Sequence, residues 1–356
     1  MQMGLFKETQ KLTLPYFSNG IIILVLIYDD DINLIGNNNA NLNKFIEKLE
    51  KLEKLFTQKD LGALHFFLGI EVARKEACLY LTQTKYIEDL LENKNMQHLK
   101  PFPTLIATNK SLSLTDGKLI KNPTNYKSLI GALQYLNHTR PDISYAVNTL
   151  SQFFKSPTTS HWNTVKRILR YLQGTSTQGL HLSCYDKLNL VGFSDANWAS
   201  NVNDRRSVCS YCVYHGESLV SWSSKKQAVV SRSSIKTEYR ALARVSAEIT
   251  WLESLLNEIK FHLLALPITW CDNISASALA LNLDYHGRTK HIEIDIHFVR
   301  DKVLNKALEV KFIPSADQIA DCMTKTLSHS RFHYLIAKLG VKNSPPGLRS
   351  GVKKND

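Results

Sequence analysis

The sequence predicts an α/β (α+β) chain that ends in a mixed five-stranded sheet with flanking helices. Three observations carry this. A continuous apolar run at residues 20–28 breaks on Asp29, Asp30 and Asp31 and resumes at 32–36, the pattern of a strand hairpin with an acidic tip. Apolar residues at helical spacing dominate from Tyr126 to Leu172. From residue 188 on, three strand-like segments follow one another and strands then alternate with helices, which implies a mixed sheet covered by helices.

The elements follow in order. Residues 41–56 form an amphipathic helix with Leu42, Phe45, Ile46, Leu49, Leu52 and Phe56 on one face. Residues 64–72 read as one strand, 79–81 as a short strand, and Lys85 to Leu91 as the start of a helix. The Pro-rich and polar stretch from Lys100 to Pro123 is a linker or long loop. Tyr126, Leu129, Ile130, Leu133 and Leu136 line one helix, Ile143, Val147, Leu150 and Phe153 the next, and Val165, Ile168, Leu169 and Leu172 a third. Lys166, Arg167 and Arg170 lie on the other face of that third helix, where they either track phosphates or are simply solvated. The final sheet takes strands at about 188–194, 207–215, 218–222, 267–271 and 308–313.

Net charge is +12 and the isoelectric point about 9.3, which favours a polyanionic partner, nucleic acid before membrane. The longest apolar run is far too short to cross a bilayer, and nothing at the N-terminus resembles a signal peptide. Cys209 and Cys212 are three apart on a strand, face opposite sides and make poor zinc co-ligands, so all six cysteines are read as reduced and the chain as intracellular.

The chemistry concentrates around Val191-Gly192-Phe193-Ser194-Asp195, a strand that ends on a carboxylate. A buried carboxylate is costly unless a cation meets it. Glu238 heads the otherwise apolar stripe Leu242, Val245, Ile249, Leu252 and Leu256 of a long helix, Asp272 ends a strand, and Asp321 lies in a late helix. Four acids cannot all stay ionised together without cations, and oxygen-only ligands select magnesium over zinc. Two ions roughly 4 Å apart would activate a water and stabilise the leaving 3′ oxygen of a phosphodiester.

Two sets of motifs resemble the Pol polyproteins of copia-type retrotransposons. Tyr28-Asp29-Asp30-Asp31, Lys59-Asp60-Leu61-Gly62, Phe67-Leu68-Gly69-Ile70-Glu71-Val72 and Gln83-Thr84-Lys85-Tyr86 resemble the family's reverse transcriptase, and the resemblance makes Asp30 and Asp31 metal ligands. Asp29 stands where the family has an apolar residue. The family's other metal-binding Asp and its fingers have no counterpart here, so the resemblance implies a truncated palm/thumb remnant that does not polymerise DNA unless another chain supplies the missing N-terminal polymerase region. The second set resembles the family's ribonuclease H: Ser194-Asp195-Ala196-Asn197-Trp198, Asp204-Arg205-Arg206-Ser207, Ser221-Trp222-Ser223-Ser224-Lys225-Lys226-Gln227, Thr237-Glu238-Tyr239, Trp270-Cys271-Asp272-Asn273 and Ala320-Asp321-Cys322-Met323-Thr324-Lys325.

The resemblance spans about residues 5 to 330. It implies a partial reverse transcriptase at 1–105, a helical connection at 106–185, a ribonuclease H-like domain at 186–330, and a C-terminal helix and tail at 331–356. Its metal quartet is Asp195, Glu238, Asp272 and Asp321, with Asp295 the rival for the fourth place. The implied activity is cleavage of RNA in RNA–DNA hybrids with two magnesium ions, manganese being a substitute. Arg205, Arg206, Lys225 and Lys226 are candidates for backbone phosphates, and Ser233, Ser234 and Asn273 for sugar or phosphate oxygens. The family usually has an acid at Lys236 and a Pro at Thr326; the second change alters only a helix ending. Cellular ribonucleases H often carry a His before the last acid, whereas Ser315-Ala316-Asp317-Gln318 has none, and neither His291 nor His297 takes its place. Two rivals stand beside this reading: a non-catalytic nucleic-acid-binding remnant, and a degenerate chain that never folds stably.

Overall fold

The computed structural model describes residues 11–18, 20–28, 31–51, 61–76, 78–108, 112–184, 188–282 and 292–345. It divides into two compact units, residues 1–65 with 253–262, and residues 66–252 with 263–356.

In the first unit, β1 (Lys11–Ser18), β2 (Ile21–Tyr28) and β3 (Asp31–Gly36) form an antiparallel sheet in that order, followed by α1 (Asn39–Glu50). Tyr28 pairs with Asp31 across the expected hairpin, and Ile23 and Val25 are buried. β1 carries no signal the sequence reading used. Asn38 caps α1 by accepting from the Asn41 amide at 3.1 Å. The expected continuation of this helix through Leu52 and Phe56 lies outside the described residues.

The second unit opens with β4 (Phe66–Phe67), β5 (Ile70–Lys75) and β6 (Cys78–Thr82). The single strand expected at 64–72 is therefore a hairpin. Leu68 and Gly69 both take positive φ, 47° and 71°, the twist a two-residue hairpin turn needs. A Cβ on Gly69 would also collide with the Tyr135 hydroxyl. Then come α2 (Thr84–Asn93), α3 (Thr124–Leu136), α4 (Ser144–Ser151), α5 (Thr159–Gly174) and β7 (Gln178–Ser183). Every apolar residue assigned to the stripes of α3, α4 and α5 is buried.

The C-terminal sheet takes β8 (Leu190–Asn197), β9 (Val208–His215) and β10 (Ser218–Lys226), then α6 (Ser234–Glu258), β11 (Ile268–Cys271), α7 (Ile274–Leu281), α8 (Glu293–Leu304) and β12 (Glu309–Phe312). Its strand order is β10-β9-β8-β11-β12, antiparallel on the hairpin side and parallel from β8 to β12. This is the mixed five-stranded sheet expected. β10 runs on to Lys226, past the expected end at Trp222, because Lys225 and Lys226 still pair with Cys209 and Val208. α9 (His329–Lys338) and β13 (Val341–Asn343) close the chain, and β13 joins a second sheet of order β13-β7-β6-β5-β4.

One apolar core runs through this unit. It gathers Ile87, Leu133, Leu150 and Leu169 from the middle helices, Cys212 and Leu219 from the sheet, and Leu335 from α9. Behind it, Arg140 is wholly buried and forks onto Asp142 through Nε–Oδ1 at 3.0 Å and Nη2–Oδ2 at 2.7 Å, while the Tyr171 hydroxyl donates to the same carboxylate at 2.7 Å. The six cysteines are free thiols, and no described helix is long and apolar enough to cross a membrane.

Candidate metal centre

Strand register assembles the site. On parallel neighbours, Ser194 of β8 lies opposite Cys271 of β11, so Asp195 and Asp272, each one residue further on, arrive at the same end of the sheet. α6 brings Glu238 to it. Gly192 permits this, since a Cβ there would stand 2.7 Å from Val245 Cγ2 and 2.9 Å from Ile249 Cδ1, the atoms by which α6 rests on β8.

Asp321 lies in the late helix expected, which is a short 3-10 turn, Ile319–Met323. Its backbone is held by the sheet: Ser210 donates to the Ala320 carbonyl at 2.8 Å, Ser224 to that of Met323 at 2.6 Å and Asn197 to that of Thr324 at 3.4 Å. These bonds tie the short turn to β8, β9 and β10. Thr326 stands two residues beyond the cap of this helix at Thr324, outside any helix or strand.

Carboxylate oxygens of Asp195, Asp272 and Asp321 all lie within 4.8 Å of one another, and oxygens of Glu238 and Asp272 with the Cys271 sulfur make a second such group. Asp195, Glu238 and Asp321 are buried, and Asp272 is half-buried. Burial drives the Asp195 carboxyl up to about 7; Lys325 and the Thr324 hydroxyl oppose the shift, and Asp321 and Asp272 add to it. Burial, with Asp195 and Asp272 nearby, pushes Glu238 up to about 10. Asp321 is raised by burial as well, against Lys325.

The residues fit a hard divalent cation. Glu238 Oε2 is buried without a hydrogen-bond partner among the described residues, an uncommon loss for a carboxylate with no use. Burial pushes the Cys271 thiol up to about 12, and the carboxylate oxygens around it are the harder donors, suited to a hard divalent cation.

Four neighbours were not anticipated as parts of the site. Lys325 Nζ pairs with Asp321 Oδ1 at 2.7 Å, and although burial works against its charge, Asp195, Asp321 and Asp272 hold its ammonium above the ordinary lysine value. The Thr324 hydroxyl donates to Asp195 Oδ2, Ser315 donates to Asp272 Oδ2 at 2.8 Å, and buried Gln318 donates to the Ser194 carbonyl at 2.9 Å. The spacing of Asp321 and Lys325, four apart, was the one signal in the sequence.

Asp295 is not in this cluster; burial raises its carboxyl, and Arg240 and Arg244 of α6 oppose the shift. Arg205 and Lys225 are exposed, whereas Lys226 pairs with Asp204 at 2.9 Å and Arg206 with the same carboxylate at 3.7 Å. Ser233 accepts from the Lys236 amide at 3.4 Å, and Asn273 caps α7 through the Ala276 amide at 2.9 Å. Ser234 is exposed at the start of α6, and His297 is exposed on α8. Asp29, Asp30 and His291 lie outside the described residues, and of Asp31 only the backbone in β3 is described.

Residues 6–107 match the family described as reverse transcriptase (RNA-dependent DNA polymerase). The chain is 45% identical over 325 residues to the retrovirus-related Pol polyprotein from transposon RE1 of Arabidopsis thaliana, covering 91% of this chain and 22% of that one. An uncharacterized mitochondrial protein of Arabidopsis thaliana is 44% identical over 227 residues, 64% of this chain and 93% of its own length. Among solved structures, LC11-RNase H1 in complex with RNA/DNA hybrid covers 38% of this chain and 94% of its own, at 11% identity and a TM-score of 0.31, too low to add to the strand order. The chain thus spans about a fifth of the length of the curated polyprotein, 22%. On the identity to these relatives, the chain belongs to the copia-type retrotransposon Pol polyprotein family.

Proposed function

We propose that this chain hydrolyses the RNA strand of RNA–DNA hybrids endonucleolytically, with magnesium as cofactor and manganese able to replace it. The observation that carries the reading is the convergence of Asp195, Asp272 and Asp321 oxygens within 4.8 Å, with Glu238 buried beside them and one of its oxygens unpartnered. When bound, a pair of divalent ions would supply an activated water and charge stabilisation at the leaving oxygen.

The chain's own residues do the rest. Asp195, Glu238, Asp272 and Asp321 would hold the ions. Thr324 fixes the rotamer of Asp195, and Ser315 that of Asp272, so both carboxylates are oriented before substrate arrives. Arg205 and Lys225, exposed and without ion-pair partners among the described residues, suit backbone phosphates, and Arg206 and Lys226 are held in place by Asp204. Ser233, Ser234 and Asn273 remain candidates for sugar or phosphate oxygens.

A labelled hybrid incubated with wild type and with Asp195→Asn, with and without magnesium, tests it on a sequencing gel. Wild type cuts the RNA strand only with the metal, and the variant is slower by at least about a hundred-fold, since the lost charge stabilisation is worth several kcal/mol. Equal cleavage by both discards the assignment. Salt-sensitive binding with no cleavage by either favours the non-catalytic remnant.

A further inference from the structure

Outside the acidic cluster, the strongest unassigned feature is an open pocket of about 590 Å³ between α5 and the segment that follows α2, lined by Lys100, Phe102, Lys166, Arg167 and Arg170. Residues 166 and 170, four apart, and 167 and 170, three apart, share one helix face. Phe102 lies against that face: the Arg167 guanidinium stands 4.0 Å and that of Arg170 5.1 Å from the ring centroid. Backbone acceptors hold the same two arginines. Arg167 Nε donates to the Thr104 carbonyl at 3.0 Å and Arg170 Nε to the Lys100 carbonyl at 2.7 Å, while the Phe102 amide donates to the Arg170 carbonyl at 3.2 Å. Two arginines are thus held in place beside one opening, and the exposed Lys100 and Lys166 add their charges to its rim.

Among the described residues no carboxylate forms an ion pair with Lys100, Lys166, Arg167 or Arg170. Burial and the neighbouring Arg170 both press Arg167 below the ordinary guanidinium value, so the two charges repel without a local anion. Phe102 is already engaged by guanidinium groups, which makes it a support for cations and not a platform for a base. Thr104, which anchors Arg167, also lines a small cavity shared with Lys325, the lysine that pairs with Asp321.

We propose that Lys100, Lys166, Arg167 and Arg170 form a cradle for backbone phosphates of a nucleic acid that extends past the acidic cluster. The proposal deepens the nuclease reading in its choice of an RNA–DNA hybrid as the ligand, but its test reads binding alone. The cradle positions the duplex without reading its sequence, because it offers charges to phosphates and no donor set matched to a base edge.

Fluorescence anisotropy of a labelled hybrid, titrated with the full chain in EDTA over a series of salt concentrations, measures it without cleavage. The variant Lys100→Gln/Lys166→Gln changes two exposed side chains and leaves the packed arginines in place. Its log K against log salt slope falls by about 2, at roughly 0.9 per lost phosphate contact, with affinity lowered about tenfold at low salt. Lys306→Gln/Lys342→Gln removes the same charge at exposed lysines outside the pocket and keeps a slope close to wild type. A wild-type slope in the pocket variant or an equal loss in the control variant would each overturn the cradle. Since cleavage is never read, a chain that binds through the cradle but does not cut refutes the nuclease reading alone.

Discussion

Asp195 holds its proton in the metal-free fold where a free aspartate would have lost it. Its carboxyl stands at about 7 and that of Glu238 at about 10, both far above unfolded values near 4. The sign follows from proton binding. Between about pH 4 and about pH 7 the folded state keeps a proton on Asp195 that the unfolded chain releases, and Glu238 extends the window to about pH 10. These two acids therefore make the metal-free protein lose stability as pH rises. A divalent ion must displace those protons, so it binds better at higher pH. Lys325 meanwhile occupies the rim of the same cluster as a fixed cation. Thermal unfolding with and without saturating magnesium checks both statements. The rise in Tm with magnesium grows from about pH 6 to about pH 8, and in Lys325→Met it exceeds that of wild type while the metal-free variant is less stable by about 1 kcal/mol, a modest figure because the lysine is partly exposed. A magnesium effect that is flat with pH and equal in both proteins would contradict this placement of charge.

At the scale of elements, the site depends on how closely α6 lies on β8. Gly192→Ala puts a methyl into the side chains of Val245 and Ile249 and forces the helix outward. Urea unfolding shows a loss of roughly 1–3 kcal/mol, the usual penalty for overpacking, and a loss below about 0.5 kcal/mol would mean the contact is loose. The stripe from Glu238 to Ile249 is legible in the sequence because a carboxylate heads an otherwise apolar face. The importance of Gly192 is not, because its partners are about fifty residues away in α6. The same holds for the 3-10 helix around Asp321: its carbonyls are engaged by Ser210, Ser224 and Asn197 from the sheet, and no local pattern announces that. Leu68 and Gly69 could have been read as a turn, but the apolar residues on either side masked it.

Across the larger unit, the middle helices and the C-terminal sheet share one core, so they are expected to unfold together. Their stripes were legible at 126–172, whereas their docking onto β9 and α9 was not, since helical spacing says which face is buried and not against what. Between the stripe that ends at Leu136 and the one that starts at Ile143, the structure adds the buried Arg140–Asp142 ion pair. Asp142→Asn leaves Arg140 buried with its countercharge removed, which costs about 3–5 kcal/mol. Circular dichroism and tryptophan fluorescence should then move to a lower midpoint together; a shift in one signal alone would show that the helices and sheet are separate folding units.

The claim beneath all of this is that Asp195, Glu238, Asp272 and Asp321 cage divalent ions. Crystals soaked in manganese and measured at its absorption edge test it directly. The expected result is an anomalous peak within ligand distance of Asp195, Asp272 and Asp321 oxygens, absent from Asp195→Asn. Manganese bound only elsewhere on the chain, or no peak at saturating concentration, would contradict it.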